Sequence, residues 1–344
     1  MVRLCESVGA AEPRALRQQL LEEIRRVVDF DAHVWLLTDP ETSVGSAPLA
    51  DVPSPLLAQL PRLVRLKYLT ALNRWTTLGS SAVSLHDATG GDLTRSSVWD
   101  ELLSRYGIVD VLSMVFRDRF GCWGFLDLWR AATASPFTSH EADFLSSIGD
   151  AVTTALRRAQ ANTFVVNPTR EPRRPGPVVL LLSPELDVLG QTPETHEYLR
   201  VLVPPADGRA PIPASAYNVA AQMLAVEADV DRNQPTARVH LSDGLWYTLR
   251  AARITDAQPP GQRAIAVTIE EASPAERMSL FARAVGLSAR EREVLSHLMT
   301  GIDTRAVAQR MYLSEHTVQD HLKSIFSKTS VRNRRTLLSR ALGT

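Results

Sequence analysis

The residues best suited to chemistry lie near the carboxyl end of the chain, on one short predicted helix. Three aliphatic residues recur there at the spacing of a single helix face: Val318, Leu322 and Ile325. A helix that buries these three must turn Gln319, Asp320 and Lys323 outward onto one patch. A glutamine can pair with adenine, an aspartate can accept a hydrogen bond from cytosine, and a lysine can bind guanine. The spacing therefore predicts a surface that reads base edges in DNA.

The neighbouring sequence predicts further short helices that would hold this patch in place. Ser288 and Glu291 form a capping box for one helix, and Gly301 supplies its left-handed stop. Asp303 caps a second helix, and a tight turn leads to Ser314, which caps the helix that carries the patch. Two short helices joined by a tight turn form a helix-turn-helix, whose second helix fits a major groove about 12 Å wide.

The distribution of charge agrees with a nucleic-acid partner at this end of the chain. The whole sequence of 344 residues has a net charge of zero. Residues 1–162 carry −3, residues 163–287 carry −2, and residues 288–344 carry +5. A polyanion is therefore attracted to the carboxyl-terminal segment.

The segment LSAREREVLSHLMTGIDTRAVAQRMYLSEHTVQDHLKSIFSKTSVRNRRTLL resembles the LuxR/FixJ/GerE DNA-binding domain, an all-α four-helix fold. The resemblance implies that Thr317 contacts a DNA phosphate and that positions 319, 320 and 323 face base edges. It also implies that the last helix, about 333–342, forms a dimer contact.

Other DNA contacts are expected around the same helix. Ser314 and Thr317 lie in its first turn, beside free backbone N–H groups where a phosphate fits. His321 is compatible either with a phosphate contact or with a structural role. Three basic residues match the family's backbone-facing margin: Arg305, Lys328 and Arg334.

The sequence also departs from the family pattern. Gln319 stands where a lysine is common, and Asp320 directs an acid towards a polyanion. Ala306 replaces a common glutamate, and Thr329-Ser330 replaces Leu-Gly. The operator of a relative therefore does not transfer to this chain, and Asp320 predicts a lowered non-specific affinity for DNA.

The first domain is predicted over residues 1–162 and has an α+β pattern. Alternating runs at Val111–Phe116 and Cys122–Trp129 predict a hairpin, and Thr138 with Glu141 predicts the start of a long helix. FGCWGFLDLWR followed by PFTSHEADFLSSIGDAVTTALRRA resembles the second half of a GAF domain. Five tryptophans in this domain favour a packed core, with a small-molecule effector pocket as the alternative.

A second α+β domain is predicted over residues 178–272, after a proline-rich linker at 163–177. The order of two strands, helices and three strands resembles a PAS-type domain. A connecting helix over 273–286 then leads into the helix-turn-helix domain at 287–344.

Several classes of protein are excluded by what the sequence lacks. Cys5 and Cys122 have no metal-ligand or disulfide spacing, and no apolar run is long enough to cross a bilayer. Nucleotide-binding, hydrolase and metalloprotease motifs are absent. We therefore expect a cytoplasmic protein with neither catalytic residues, nor metal, nor cofactor.

The sequence leads to one preferred hypothesis and one alternative. The preferred hypothesis is a homodimeric transcription regulator that binds double-stranded DNA, with sensor-like domains that take a small-molecule effector, and with the transcription machinery as a compatible partner. The alternative is a protein-interaction scaffold whose carboxyl-terminal helices dimerise without reading DNA.

Overall fold

The computed structural model describes residues 5, 12–131, 134–165, 178–202, 213–241, 244–254 and 263–343. These residues form two antiparallel sheet domains and a carboxyl-terminal helical domain. Residues 166–177, most of the predicted linker, lie outside the described residues.

The first sheet has the strand order β2-β1-β5-β4-β3, with every neighbouring pair antiparallel. Its strands are β1 (Ala32–Thr38), β2 (Gly45–Asp51), β3 (Val83–Ser84), β4 (Ile108–Asp118) and β5 (Gly121–Ala131). Its helices are α1 (Pro13–Arg25), α2 (Ser54–Leu57), α3 (Leu60–Leu69), α4 (Leu85–Thr89), α5 (Ser97–Glu101), α6 (Ser139–Ser147) and α7 (Gly149–Asn162), with 3₁₀ turns at Leu93–Arg95 and Leu103–Tyr106.

The sequence predicts a hairpin and the start of a long helix in this domain. The hairpin is confirmed, because Asp118 of β4 pairs with Gly121 of β5. The capping box of Thr138 and Glu141 is also present. The helix that it starts is interrupted at Ile148, however, so that the single long helix expected here is two helices, α6 and α7.

The second sheet has the order β7-β6-β10-β9-β8, again antiparallel throughout. Its strands are β6 (Val178–Leu182), β7 (Val188–Gln191), β8 (Thr236–His240), β9 (Trp246–Arg253) and β10 (Ile265–Glu271), and its helices are α8 (Pro193–Leu202) and α9 (Ala214–Glu227). Counted within each domain, the two sheets have the same strand order.

Helix α9 joins the two sheet domains. Every residue from 213 to 225 is buried, which is the behaviour of a helix that is covered on all sides. It packs against α3 and β2 of the first domain as well as against β9 of its own. Gly45 permits the close approach, because a Cβ at that position would lie 2.9 Å from Oδ1 of Asn218. The two sheet domains therefore share one apolar core.

A second apolar core lies on the other side of the first domain. It contains residues of α1 and α7 together with the carboxyl-terminal helices. These helices are α10 (Pro274–Ala284), α11 (Ala289–Met299), α12 (Thr304–Met311), α13 (Glu315–Thr329) and α14 (Arg334–Leu342). Helix α10 corresponds to the predicted connecting helix.

Polar bonds also connect the two sheet domains and α10. Arg238 of β8 forms an ion pair with Asp39, which follows β1, at 2.6 Å. The Thr42 hydroxyl donates to the main-chain oxygen of Thr236 at 2.6 Å. Arg238 also donates to the main-chain oxygen of Glu276 in α10 at 3.2 Å. All three parts therefore meet at Arg238.

Within the described residues, no helix is both long enough and apolar enough to span a bilayer. Nor do the described histidine, cysteine, aspartate and glutamate side chains form a group of three or more that could hold a metal ion.

Candidate nucleic-acid interface

The helices of the carboxyl-terminal domain begin where the sequence predicts them. The Ser288 hydroxyl accepts from the backbone N–H of Glu291 at 3.3 Å, and the Glu291 carboxylate accepts from the backbone N–H of Ser288 at 2.6 Å. Gly301 has φ +85° after α11. The Asp303 carboxylate accepts from the backbone N–H of Ala306 at 2.8 Å, capping α12. Local side-chain chemistry therefore fixes these boundaries.

The turn between α12 and α13 is made by a residue other than glycine. Tyr312 has φ +56° and ψ +42°, the left-handed conformation that ends α12. The backbone N–H of Leu313 then donates back to the oxygen of Ala308 at 2.9 Å. This tight closure fixes the angle at which α13 leaves the turn.

Helix α13 presents the patch that the spacing predicts. Val318 and Ile325 are fully buried and Leu322 is 8% exposed. Gln319, Asp320 and Lys323 are all exposed. The amide, the carboxylate and the ammonium group are therefore accessible from outside the protein, and their contact with base edges stays a prediction.

Charges within the patch already interact with each other. The Lys323 ammonium lies 3.1 Å from the Asp320 carboxylate, and His316 Nε2 lies 3.5 Å from it. The hydrogen bond from Lys323, aided by the charge of His316, holds the pKa of Asp320 below its ordinary value. Asp320 is therefore ionised at neutral pH, and Lys323 partly neutralises it.

The start of α13 carries two hydroxyl groups and a nearby arginine. The Ser314 hydroxyl accepts from the backbone N–H of Thr317 at 3.1 Å, and the two hydroxyl oxygens are 2.9 Å apart. Arg305 is 76% exposed, and its Nε lies 4.0 Å from the Glu315 carboxylate. These groups lie at the positive end of the helix dipole, where a phosphate is stabilised.

Two of the predicted DNA-contact residues are engaged within the protein. Lys328 donates to both carboxylate oxygens of the buried Glu291, at 2.9 and 2.6 Å. Arg334 donates to the main-chain oxygens of Leu298 and Ile302, at 3.1 and 2.7 Å. Both side chains therefore hold the domain together, whatever they contribute to DNA. His321 is half-buried, and its role stays open.

One exposed residue beside the patch was not among the predicted DNA contacts. Tyr312 is 95% exposed, although it is a large aromatic residue in a left-handed conformation that few side chains adopt. It precedes the cap Ser314 by two positions, at the end of α13 that enters a groove in helix-turn-helix proteins. The sequence signal for this candidate contact is an aromatic residue within a tight turn between two helices. Such a side chain is usually packed inward, whereas Tyr312 is exposed.

A separate polar cluster lies inside the first domain, next to a cavity of about 10 Å³. The Asp127 carboxylate accepts hydrogen bonds from the Trp75 indole at 3.0 Å and from the Ser113 hydroxyl at 2.7 Å. The Lys67 ammonium lies 2.9 Å from it and 4.6 Å from the centre of the Trp75 ring. A cavity of this size holds about one water molecule.

Comparison with known proteins shows what the carboxyl-terminal domain is. Residues 285–341 match the family described as bacterial regulatory proteins, luxR family. This part of the chain is therefore a LuxR-type helix-turn-helix domain.

The curated relatives align over the same region. A probable HTH-type transcriptional regulator, GfsR of Streptomyces halstedii, is 41% identical over 59 residues, which are 17% of this chain and 24% of that protein. The monoamine regulon transcriptional regulator of Klebsiella aerogenes is 41% identical over 54 residues, or 16% and 24% of the two chains. The match thus spans about a quarter of the length of these relatives, which are transcriptional regulators.

The similarity of the chain to solved structures is much weaker. Escherichia coli SdiA is 11% identical, with a TM-score of 0.34 over 97% of this chain and 92% of that one. The Vibrio cholerae VqmA dimer without its target DNA is 17% identical, with a TM-score of 0.21 over 49% and 82%. At these TM-scores neither structure identifies the fold of the two sheet domains.

Proposed function

We propose that the chain is a homodimeric transcription regulator that binds double-stranded DNA through α13 and is controlled by its two sheet domains. The observation that carries the proposal is the exposure of Gln319, Asp320 and Lys323 on a helix of a LuxR-type domain. Base edges in the major groove offer donors and acceptors that match these three side chains. The surrounding basic and hydroxyl groups suit the phosphate backbone.

Two copies of α13 define the form of the operator. In a symmetric dimer the two helices enter successive major grooves on one side of the duplex, so that half-sites recur about 10 bp apart in a near-palindrome. Arg305 and Thr317 contact the backbone beside each half-site. Asp320 disfavours DNA that offers no cytosine amino group, which raises specificity at the expense of general affinity.

The sheet domains act as sensors in this proposal, the first GAF-like and the second PAS-like. The two domains have the same strand order and share one apolar core, which supports a similar role for both. The buried cluster around Asp127 supports an effector site in the first domain, because Asp127, Lys67 and Ser113 line this cavity together with apolar side chains. An effector larger than water must open this cavity in order to bind.

A genomic-fragment mobility-shift experiment tests the DNA-binding function. The 344-residue chain is incubated with a library of fragments from its own genome at two salt concentrations, and retarded fragments are sequenced. We expect a small set of fragments with a shared near-palindrome, bound more weakly at the higher salt concentration. A chain that forms dimers but retards no fragment at either concentration contradicts the proposal and favours the interaction scaffold.

A further inference from the structure

The second half of the last helix is less accessible than its first turn in this structure. From Leu337 to Leu342 no residue of α14 is exposed, although the helix is only nine residues long. Helix α10 packs along it, and Leu280 and Phe281 of α10 share a core with Leu337 and Ala341 of α14. A surface that pairs with a second copy must be accessible, and the second half of α14 is covered by the chain's own connecting helix.

Arg277 is the polar centre of this contact and is only 4% exposed. Its guanidinium donates to the main-chain oxygen of Arg340 in α14 at 3.1 Å. It also donates to the main-chain oxygen of Gly244 in the second sheet domain, and it lies 5.0 Å from the ring centre of Phe164, just after α7. One side chain therefore joins α14 to both sheet domains.

The guanidinium is held in an unusual way for a buried cation. Its hydrogen bonds go to carbonyl oxygens, and its buried Nε has no hydrogen-bond partner among the described residues. Burial lowers the pKa of Arg277 to about 10, with only a partial offset from the charge of Glu271. Burying a charge without a carboxylate partner is costly. The contact is therefore stable only while the surfaces around Arg277 remain closely packed.

Glycine at the end of α14 is part of the same contact. A Cβ at Gly343 would lie 2.8 Å from Nε of Arg277, and Gly343 has φ +83°. The chain end therefore fits against Arg277 only because position 343 has no side chain. This fit gives a second way to disturb the contact without altering a core residue.

Helix α10 is also held by the first sheet domain. Arg283 donates to the main-chain oxygen of Phe120 at 2.9 Å, and the Ser279 hydroxyl lies 3.2 Å from the Glu41 carboxylate. Arg157 of α7 donates to the main-chain oxygen of Ala284 at 3.3 Å. From residue 276 to residue 287 no side chain of this segment is exposed. A displacement of either sheet domain therefore acts directly on the helix that covers α14.

We propose that the second half of α14 has two alternative partners, α10 of its own chain in the closed state described here and α14 of a second copy in a dimer, with Arg277 holding the closed state. The inference deepens the proposed function, on which it rests for the role of the dimer at DNA. A signal that moves a sheet domain away from α10 lowers the stability of the closed state. The population then shifts to the dimer, since a second copy binds only the open state.

Sedimentation of full-length variants over a concentration series tests this inference. Arg277→Ala and Gly343→Ala open the same contact from opposite sides. Arg290→Ala is the matched control, because Arg290 is an exposed arginine of α11 that bonds only to Glu293 among the described residues. We expect the dimer dissociation constant to fall at least about 10-fold in both opening variants and to stay unchanged in the control. Adding Leu338→Glu to Arg277→Ala should restore the monomer.

The outcomes separate this inference from the proposed function. Opening variants that dimerise without binding any genomic fragment support the inference and contradict DNA binding. If both opening variants keep the wild-type dissociation constant, or if their dimers persist with Leu338→Glu, α14 is not an alternative surface and the inference is overturned. Since Gly343 lies outside every core, its variant decides the question even where Arg277→Ala fails to fold.

Discussion

Asp39 and Arg238 form a buried bidentate ion pair between the two sheet domains, 199 positions apart in sequence. The guanidinium nitrogens lie 2.6 and 2.7 Å from the two carboxylate oxygens, and the backbone N–H of Arg238 donates to the same carboxylate at 2.9 Å. Burial alone would raise the pKa of Asp39, but the hydrogen bonds and charge of Arg238 hold it below its ordinary value. The pair therefore couples the domains only while both partners are present.

Removing the arginine should be far more damaging than removing an exposed one. Arg238→Ala leaves the fully buried carboxylate of Asp39 without its cation, and we expect a loss of about 3–5 kcal/mol in the free energy of unfolding. Urea denaturation followed by tryptophan fluorescence measures it. The exposed Arg26 makes a single ion pair with Glu23, so Arg26→Ala is the control and should change stability by less than about 1 kcal/mol. Equal losses in the two variants would contradict the coupling.

The same pair predicts a dependence of stability on acid. The folded-state pKa of Asp39 is depressed below 3.8, so its contribution to stability is fully present above that value and is lost as the pH falls through the folded-state pKa. Asp39→Asn should be less stable at neutral pH and should lose stability less steeply below about pH 4. Denaturation curves at a series of pH values provide the measurement. Parallel pH profiles for the two proteins would refute it.

Lys328 should act mainly through the fold of the carboxyl-terminal domain. It neutralises Glu291, whose pKa is lowered to about 2: burial opposes the shift, while Lys328, Ser324 and the capping bonds of Ser288 produce it. Lys328→Ala should therefore cost about 1–3 kcal/mol of stability at neutral pH. Wild-type stability should decline as the pH falls from 4.5 towards 2. Unchanged unfolding of Lys328→Ala would contradict this role.

Lys323 should act on DNA and leave the fold unchanged, since it is exposed and its described bond is to the equally exposed Asp320. We expect Lys323→Ala to weaken operator binding by about 1–3 kcal/mol and to relax base preference at one position of each half-site. Fluorescence anisotropy with single-base variants of the operator measures both effects. A uniform loss over all variants would instead identify Lys323 as a phosphate contact.

Replacing Tyr312 should weaken DNA binding without destabilising the domain. Tyr312→Gly relieves the left-handed backbone at φ +56° and should stabilise the domain or leave it unchanged. Its affinity for the operator should nevertheless fall, because the exposed ring is lost. Tyr312→Phe removes only the phenol hydroxyl, which can donate a hydrogen bond to a phosphate. It therefore distinguishes the contribution of the hydroxyl to affinity from that of the apolar ring. Wild-type affinity in Tyr312→Gly would show that the residue has no part in binding.

The helix boundaries of the carboxyl-terminal domain could be predicted because their causes are local. Ser288, Asp303 and Ser314 each bond within three residues of their own position, so the sequence contains both partners of every cap. The inward stripe of α13 is equally local, since one helix period fixes it. The exposed patch follows from that stripe.

Other features depend on partners that are distant in sequence. Lys328 meets Glu291 across 37 positions and Arg334 meets Leu298 across 36, so neither side chain could be recognised as internal from its neighbours. Strand β2 (Gly45–Asp51) lacks the alternating pattern of a half-buried strand and was not predicted. Tertiary pairing with β1 makes it a strand.

The burial of α9 from residue 214 to residue 225 limits how this architecture can be rearranged. Because α9 packs against β2 and α3 of the first domain as well as against β9 of its own, exchanging the first sheet domain for that of another protein would leave α9 against a surface of different shape. Engineered hybrids should therefore aggregate when the cut falls between the two sheets, and a hybrid cut between α10 and α11 must keep the contact of α10 with α14. The two sheet domains should therefore be exchanged together, because they share one core.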